Sequence, residues 1–231
     1  MTSIAANLQA VRRRIAAAAK AAGRNPDDIA LLAVSKTRAA PCVAEAAQAG
    51  QRMFGESYVQ ESVAKIAELR ALGLEWHFIG PLQSNKTRPV AGHFDWVHSV
   101  DRPKLAERLA EQRPEALPPL NVCIQVNVSG EESKSGVVPD EVRPLANALA
   151  TLPRLALRGL MAIPEPSGDE ALLRSRFATL RSLRDELNAA GFGLDTLSMG
   201  MSDDLEVAIA EGATMVRVGT AIFGVRTARE G

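Results

Sequence analysis

The sequence predicts an α/β fold, a single (β/α)8 barrel, from three observations. Eight apolar, β-leaning runs follow one another along 231 residues, most of them trailed by a helical pattern. Several runs are continuously apolar rather than alternating, as parallel strands covered on both faces are. The length suits one barrel, and no composition break or internal repeat divides it. Pro114–Pro119 is too short to be a linker, so residues 1–231 read as one domain. A doubly wound sheet is the competing fold, because strand order is not readable from one sequence.

The first element is an extra N-terminal helix. Ile4, Leu8, Val11 and Ile15 are spaced 4, 3 and 4 apart and make one apolar stripe. Arg12, Arg13, Arg14, Lys20 and Arg24 all precede the first acid, Asp27, a pattern that also fits an organelle transit peptide. The stripe runs into a strand without a spacer, which favours a helix that belongs to the fold. Strands are then expected at Ile29–Ser35, Arg52–Gly55, Leu74–Ile79, Trp96–Ser99, Leu120–Val128, Leu155–Ile163, Thr196–Met199 and Met215–Val218. Helices are expected at 40–49, 57–71, 102–112, 139–151, 169–190 and 203–211, with a shorter helical segment at Gln83–Gly92. Asp101 can cap the helix that has Pro103 in its first turn, Gly191 ends the long helix, and Ser202 is placed to cap the helix at 203–211.

Composition narrows the function classes. Lys+Arg and Asp+Glu both number 27, for a formal net charge of zero, so the basic footprint of a nucleic-acid binder is missing. No run of 18 or more apolar residues suggests a membrane span. With 46% hydrophobic and 23% charged residues the chain has the mix of a folded domain with a substantial core. Cys42 and Cys123 are far apart and suit a reduced, cytoplasmic setting. His77, His93 and His98 follow no metal-ligand spacing, so they read as structural or surface residues and no metal is expected.

Barrel sites lie at the C-terminal ends of strands. There Lys36 stands out, one of six lysines against 21 arginines and the residue that closes the apolar run Leu31–Ser35. Partial desolvation would lower its pKa and free the amine for Schiff-base formation. A lysine that merely extends from a strand end to water is the plain alternative. Ser198-Met199-Gly200-Met201-Ser202 and Arg217-Val218-Gly219-Thr220 end the last two strands with glycines and hydroxyls, the region where barrels often bind phosphate. Asp203 and Asp204 could equally reflect helix capping, and would repel a phosphate they faced. Glu206 and Glu211 fit the solvent side of a helix. The segments Gln83–Lys86 and Ser133–Gly136 could bind an anion but also read as solvated loops. A lysine facing a phosphate cup is what pyridoxal phosphate requires.

The ordered motifs extend the pattern: Ala33-Val34-Ser35-Lys36, Phe54-Gly55-Glu56-Ser57-Tyr58-Val59-Gln60-Glu61, Trp76-His77-Phe78-Ile79-Gly80-Pro81-Leu82-Gln83-Ser84-Asn85-Lys86, His98-Ser99-Val100-Asp101, Gly159-Leu160-Met161, and the two terminal segments with Phe223-Gly224. With these the chain resembles the pyridoxal phosphate homeostasis proteins, single-domain relatives of the fold-type III enzymes such as alanine racemase. The resemblance implies a fold-type III barrel with pyridoxal phosphate as an internal aldimine on Lys36. It further implies a phosphate held by Ser202, Gly219 and Thr220 with Met201 beside them, and Arg217 facing the pyridine nitrogen. The family usually has Asn where this chain has Ser57, and that Asn looks toward the cofactor's phenolic oxygen; the shorter serine implies either a bridging water or a lower affinity.

Two functional classes follow from the resemblance. One is a carrier that buffers or delivers pyridoxal phosphate, with apo-enzymes as recipients and no catalytic residues of its own. The other is a racemase- or eliminase-like enzyme, with a lysine-dependent aldolase behind it. Arginine at the ring nitrogen disfavours a protonated pyridine and so weakens the electron sink. Racemisation also needs an acid–base group on each face, and Tyr58 is the only tyrosine. Without the racemases' second domain, a monomer is expected.

Overall fold

The computed structural model describes residues 3–130 and 135–225. Eight parallel strands close into a barrel in sequence order: β1 Ala30–Val34, β2 Met53–Glu56, β3 Glu75–Phe78, β4 Trp96–Val100, β5 Leu120–Gln125, β6 Leu155–Met161, β7 Thr196–Ser198 and β8 Met215–Val218. Strand β8 pairs back onto β1, Leu32 opposite Arg217 and Ala33 opposite Val218, which excludes the doubly wound alternative. The surrounding helices are α1 Ile4–Ala21, α2 Ala40–Gln48, α3 Val59–Glu68, α4 Thr87–His93, α5 Pro103–Gln112, α6 Pro139–Ala150, α7 Glu170–Ala189, α8 Leu205–Ala210 and α9 Thr220–Phe223. All eight expected strands are present within a few residues of their expected ends, and 83–92 resolves into a 3-10 turn at Ser84–Lys86 followed by α4. The four-residue helix α9 is an addition.

The extra helix lies outside the barrel, against α2, α8 and α9, with Leu8, Val11, Ile15 and Ala19 buried. It is also tied down by polar contacts: Asn7 Nδ2 donates to the Ile222 carbonyl at 2.9 Å, and just beyond the helix end Arg24 Nη1 donates to the Ile209 carbonyl at 2.8 Å. No helix among the described residues is long and apolar enough to cross a membrane.

Three local expectations are corrected. Arg102, not Asp101, holds the N-cap position of α5, because Pro103 at the start forces the residue before it into extended backbone; the Asp101 carboxylate instead binds the Arg102 guanidinium. Asp204, not Ser202, precedes α8, and its Oδ1 accepts from the Met201 N–H, folding the loop back on itself. Glu211 is buried rather than solvent-facing, since Arg174 and Arg181 both close on its carboxylate, at 2.9 and 2.8 Å.

The barrel interior is more polar than the continuous apolar runs imply. Val97, Val122, Ile124, Leu160 and Val216 are buried in the main apolar core on the helix-facing side, whereas His77, His98, Thr196, Ser198 and Arg217, buried as well, take the alternate, inward positions beside Leu32. Trp96, Cys123 and Met161 form a separate small apolar cluster.

Candidate functional site

Lys36 is half-buried just beyond β1, on a backbone held from both sides. The Ser35 N–H donates to the Gly55 carbonyl at 2.9 Å, and the Thr37 N–H donates to Glu61 Oε1 at 2.7 Å. Thr37 adopts the left-handed region at φ 65°, which turns the chain immediately after the lysine. Beneath it lies a buried ionic cluster. Lys65 Nζ donates to Glu56 Oε1 at 2.7 Å, to the Ser35 carbonyl at 2.9 Å and to Glu61 Oε1 at 3.0 Å, while Ser35 Oγ donates to Glu56 Oε1 at 2.6 Å. Burial pushes the Glu56 carboxyl above its ordinary range, and the Lys65 ammonium opposes that rise. The sequence signal for this cluster is the Glu61–Lys65 spacing of one helical turn.

Arg217 is buried and anchored by three oxygens. Nη1 donates to the Ser198 carbonyl at 2.6 Å and to Ser198 Oγ at 2.8 Å, and Nη2 donates to the Ala162 carbonyl at 2.8 Å. Burial pushes its pKa down to about 10, with Asp204 and Cys123 opposing, so it stays cationic at neutral pH.

Lys36, Ser57, Met201, Ser202, Arg217, Gly219 and Thr220 all line one cavity of about 510 Å³ at the C-terminal mouth of the barrel. Among the described residues, nothing accepts from the backbone N–H groups of Ser202, Gly219 or Thr220. Such N–H groups, at a loop end and a helix start, suit a phosphate. At Gly219 the backbone runs close to β1: a Cβ there would lie 3.2 Å from the Val34 carbonyl oxygen, a tight contact. Gly200, at φ 90°, turns the chain out of β7 where a Cβ would meet Ala208 Cβ at 2.5 Å. Four basic side chains, Arg14, Lys36, Arg38 and Arg217, line the cavity against one acid, Asp203, which favours an anionic occupant. The residues present therefore fit an aldehyde-bearing phosphate ester.

Arg14 and Arg38 carry no strand-end signal in the sequence. Arg14 comes from α1, where it sits beside the buried stripe; it donates to the Ser202 carbonyl at 3.0 Å and pairs with Glu206 at 2.9 Å. Arg38 donates to the Gly224 carbonyl. Tyr58 does not line the cavity and is 51% exposed. Nor do Ser84–Lys86 line it: the Ser84 carbonyl accepts from Arg108 Nε at 2.9 Å and from Thr87 Oγ1 at 3.0 Å, so that segment is an ordered turn. Of the other anion candidate, Ser135 and Gly136 lie outside the cavity lining, and Ser133 and Lys134 fall outside the described residues. Among the described residues no His, Cys, Asp and Glu cluster could hold a metal ion.

Comparison with known proteins identifies the family. The model of the alanine racemase N-terminal domain matches residues 6–227. A protein of Pseudomonas aeruginosa named pyridoxal phosphate homeostasis protein is 63% identical over 226 residues, 98% of this chain and 97% of that one. The Escherichia coli K12 protein of the same name is 57% identical, covering 98% of each chain. Among solved structures, PipY of Synechococcus elongatus with PLP bound superposes with a TM-score of 0.84 at 41% identity, covering 96% of this chain and all (100%) of that one.

Proposed function

This chain belongs to the pyridoxal phosphate homeostasis protein family, built on the alanine racemase N-terminal domain, and on that premise we propose that it binds pyridoxal phosphate as its cofactor and buffers or delivers it in the cytoplasm. In this reading one domain, residues 1–231, holds the cofactor as a Schiff base on Lys36 and works as a monomer that hands it to apo-enzymes. The backbone N–H groups of Ser202, Gly219 and Thr220 would take the phosphate, with Met201 packed beside them and the charge of Arg14 and Arg38 close by. Ser57 lies on the ring side, where a serine reaches less far than the asparagine usual in the family.

The observation that supports a carrier rather than a catalyst is Arg217. Pyridoxal phosphate supplies an electron sink when its ring nitrogen is protonated. A guanidinium that remains charged at neutral pH can only donate to that nitrogen, which then holds a lone pair and no proton. Nη1 spends both its hydrogens on Ser198 and Nη2 one on Ala162, which leaves Nε–H and the second Nη2–H without a protein acceptor among the described residues. The cavity lining adds a second argument: its ionisable groups are the basic four and Asp203, so no tyrosine, histidine or cysteine faces Lys36 as a partner acid among the described residues. The competing racemase reading is separated by incubating the loaded protein with L- and D-amino acids in D2O. The carrier reading expects no deuterium at Cα and no inversion; turnover of either enantiomer overturns it.

A further inference from the structure

An unbroken file of hydrogen bonds crosses the barrel interior. His77 Nε2 meets Glu75 Oε1 at 3.0 Å, His77 Nδ1 meets His98 Nε2 at 2.9 Å, His98 Nδ1 meets Ser198 Oγ at 2.9 Å, and Ser198 Oγ meets Arg217 Nη1 at 2.8 Å. Both imidazoles are fully buried, and His77 stacks on Trp96 with ring centroids 5.3 Å apart. Glu75 opens β3 at the N-terminal mouth, where it lines a cavity of about 420 Å³ with Asp95, Trp96, Asn121 and Arg158. Arg217 is at the other mouth, in the Lys36 cavity.

Donor and acceptor inventory allows one direction for the file. The Glu75 carboxylate, held below its ordinary range chiefly by the His77 bond, only accepts at neutral pH. His77 therefore donates from Nε2 and, when neutral, offers Nδ1 as an acceptor. His98 then donates from Nε2 and accepts at Nδ1, so the Ser198 hydroxyl donates to His98 and its oxygen accepts from Arg217. Reversal would set a His77 lone pair against the Glu75 carboxylate. Charging either ring would add a buried cation to the interior that already holds Arg217, and burial depresses both imidazoles.

We propose that Glu75, His77, His98 and Ser198 are positioning residues for Arg217: a one-directional hydrogen-bond chain fixes the guanidinium that faces the cofactor ring and ties it to the opposite mouth of the barrel. Its consequence at the ring rests on the cofactor reading above; the chain itself does not. A guanidinium without Ser198 Oγ would lose one of its three anchors, and a Ser198 hydroxyl without His98 would be free to rotate away. Breaking the file at Glu75 removes the acceptor that selects the tautomer of both histidines, so a change at one mouth is felt at the other.

The chain is tested first in cofactor-free wild type, by 1H–15N correlation spectra of the imidazoles at neutral pH. Both His77 and His98 are expected as neutral Nε2–H tautomers; an Nδ1–H tautomer or a charged ring at either position overturns the proposal. The effect on Arg217 is tested after loading with pyridoxal phosphate. Glu75→Ala is expected to shift the visible absorption band and to speed cofactor release by about two- to tenfold, the loss of roughly one hydrogen bond. Glu75→Gln, whose amide oxygen still accepts, restores both readouts, and Asn121→Ala at the same mouth leaves them unchanged. Should Glu75→Ala fold poorly, Ser198→Ala cuts the file next to Arg217 and is expected to give the same shift. An unchanged band and release rate in a folded Glu75→Ala or Ser198→Ala variant overturns the positioning role. A wild type that takes up no pyridoxal phosphate overturns the cofactor reading and the ring-facing role together, while the tautomers alone judge the chain.

Discussion

Neutral, buried histidines make folding depend on pH in one direction. Burial depresses His77, with Glu75 opposing, and burial together with repulsion from His77 and Arg217 takes His98 well below its ordinary value of 6.5. The unfolded chain takes up a proton near the ordinary value while the folded chain does not. Stability from each group is therefore fully present above that value and is lost as pH falls below it, until the folded-state pKa is reached. One such histidine changes the unfolding free energy by about 1.4 kcal/mol between roughly pH 7.5 and pH 5.5. Glu56, Asp95 and Asp204 work the other way, because burial raises all three and the folded state then holds protons longer than the unfolded chain. The wild-type slope alone mixes these effects, and His98→Gln isolates one proton. Urea unfolding of both proteins across that pH range, at matched m values, measures the difference. The variant is expected to be less stable at neutral pH, with the gap to wild type narrowing by about 1.4 kcal/mol on acidification over roughly those two pH units. A gap independent of pH would refute a neutral His98 and with it the direction of the chain.

Three further outcomes follow. Ser57→Asn, which restores the residue usual in the family, is expected to slow cofactor release measured by transfer to an apo-enzyme; an unchanged rate removes Ser57 from the ring side. Glu56→Ala takes one of two carboxylates from the buried Lys65 ammonium, leaving Glu61 and the Ser35 carbonyl, and is expected to cost about 1.5–3 kcal/mol in urea unfolding; an unchanged stability would mean that Glu61 alone satisfies Lys65. Gly159→Ala would bring a Cβ to within 1.8 Å of the Thr196 carbonyl oxygen, so β6 and β7 must part, and thermal unfolding should show a loss of about 1–3 kcal/mol or more; an unchanged Tm contradicts that close approach.

The strand count and the barrel were legible because both-face burial makes parallel strands read as apolar runs, and the site was legible because it is written at strand ends. Lys36, Ser202, Arg217, Gly219 and Thr220 follow or end apolar strands, so their position along the chain already selected a mouth of the barrel. What was not legible depended on partners distant in sequence. His77 and His98 show no ligand spacing because they face each other across neighbouring strands, and Ser198 meets His98 from 100 residues away. Glu211 reads as a solvent-facing acid until α7 brings Arg174 and Arg181 over it. Arg14 and Arg38 carry no strand-end signal; the docking of α1 and the turn after Lys36 bring them to the cavity. Gly191 ends α7 as expected, whereas the Asp101 and Ser202 caps are displaced for a local reason, Pro103 in one case and the Asp204–Met201 bond in the other.

The most direct test of the central claim is borohydride reduction of the protein loaded with pyridoxal phosphate, followed by peptide mass mapping. The account predicts a pyridoxyl adduct on Lys36 and none in Lys36→Ala, whose barrel should remain folded because the half-buried side chain lies beyond the end of β1. An adduct on another lysine, or none on a protein saturated with the cofactor, would contradict it.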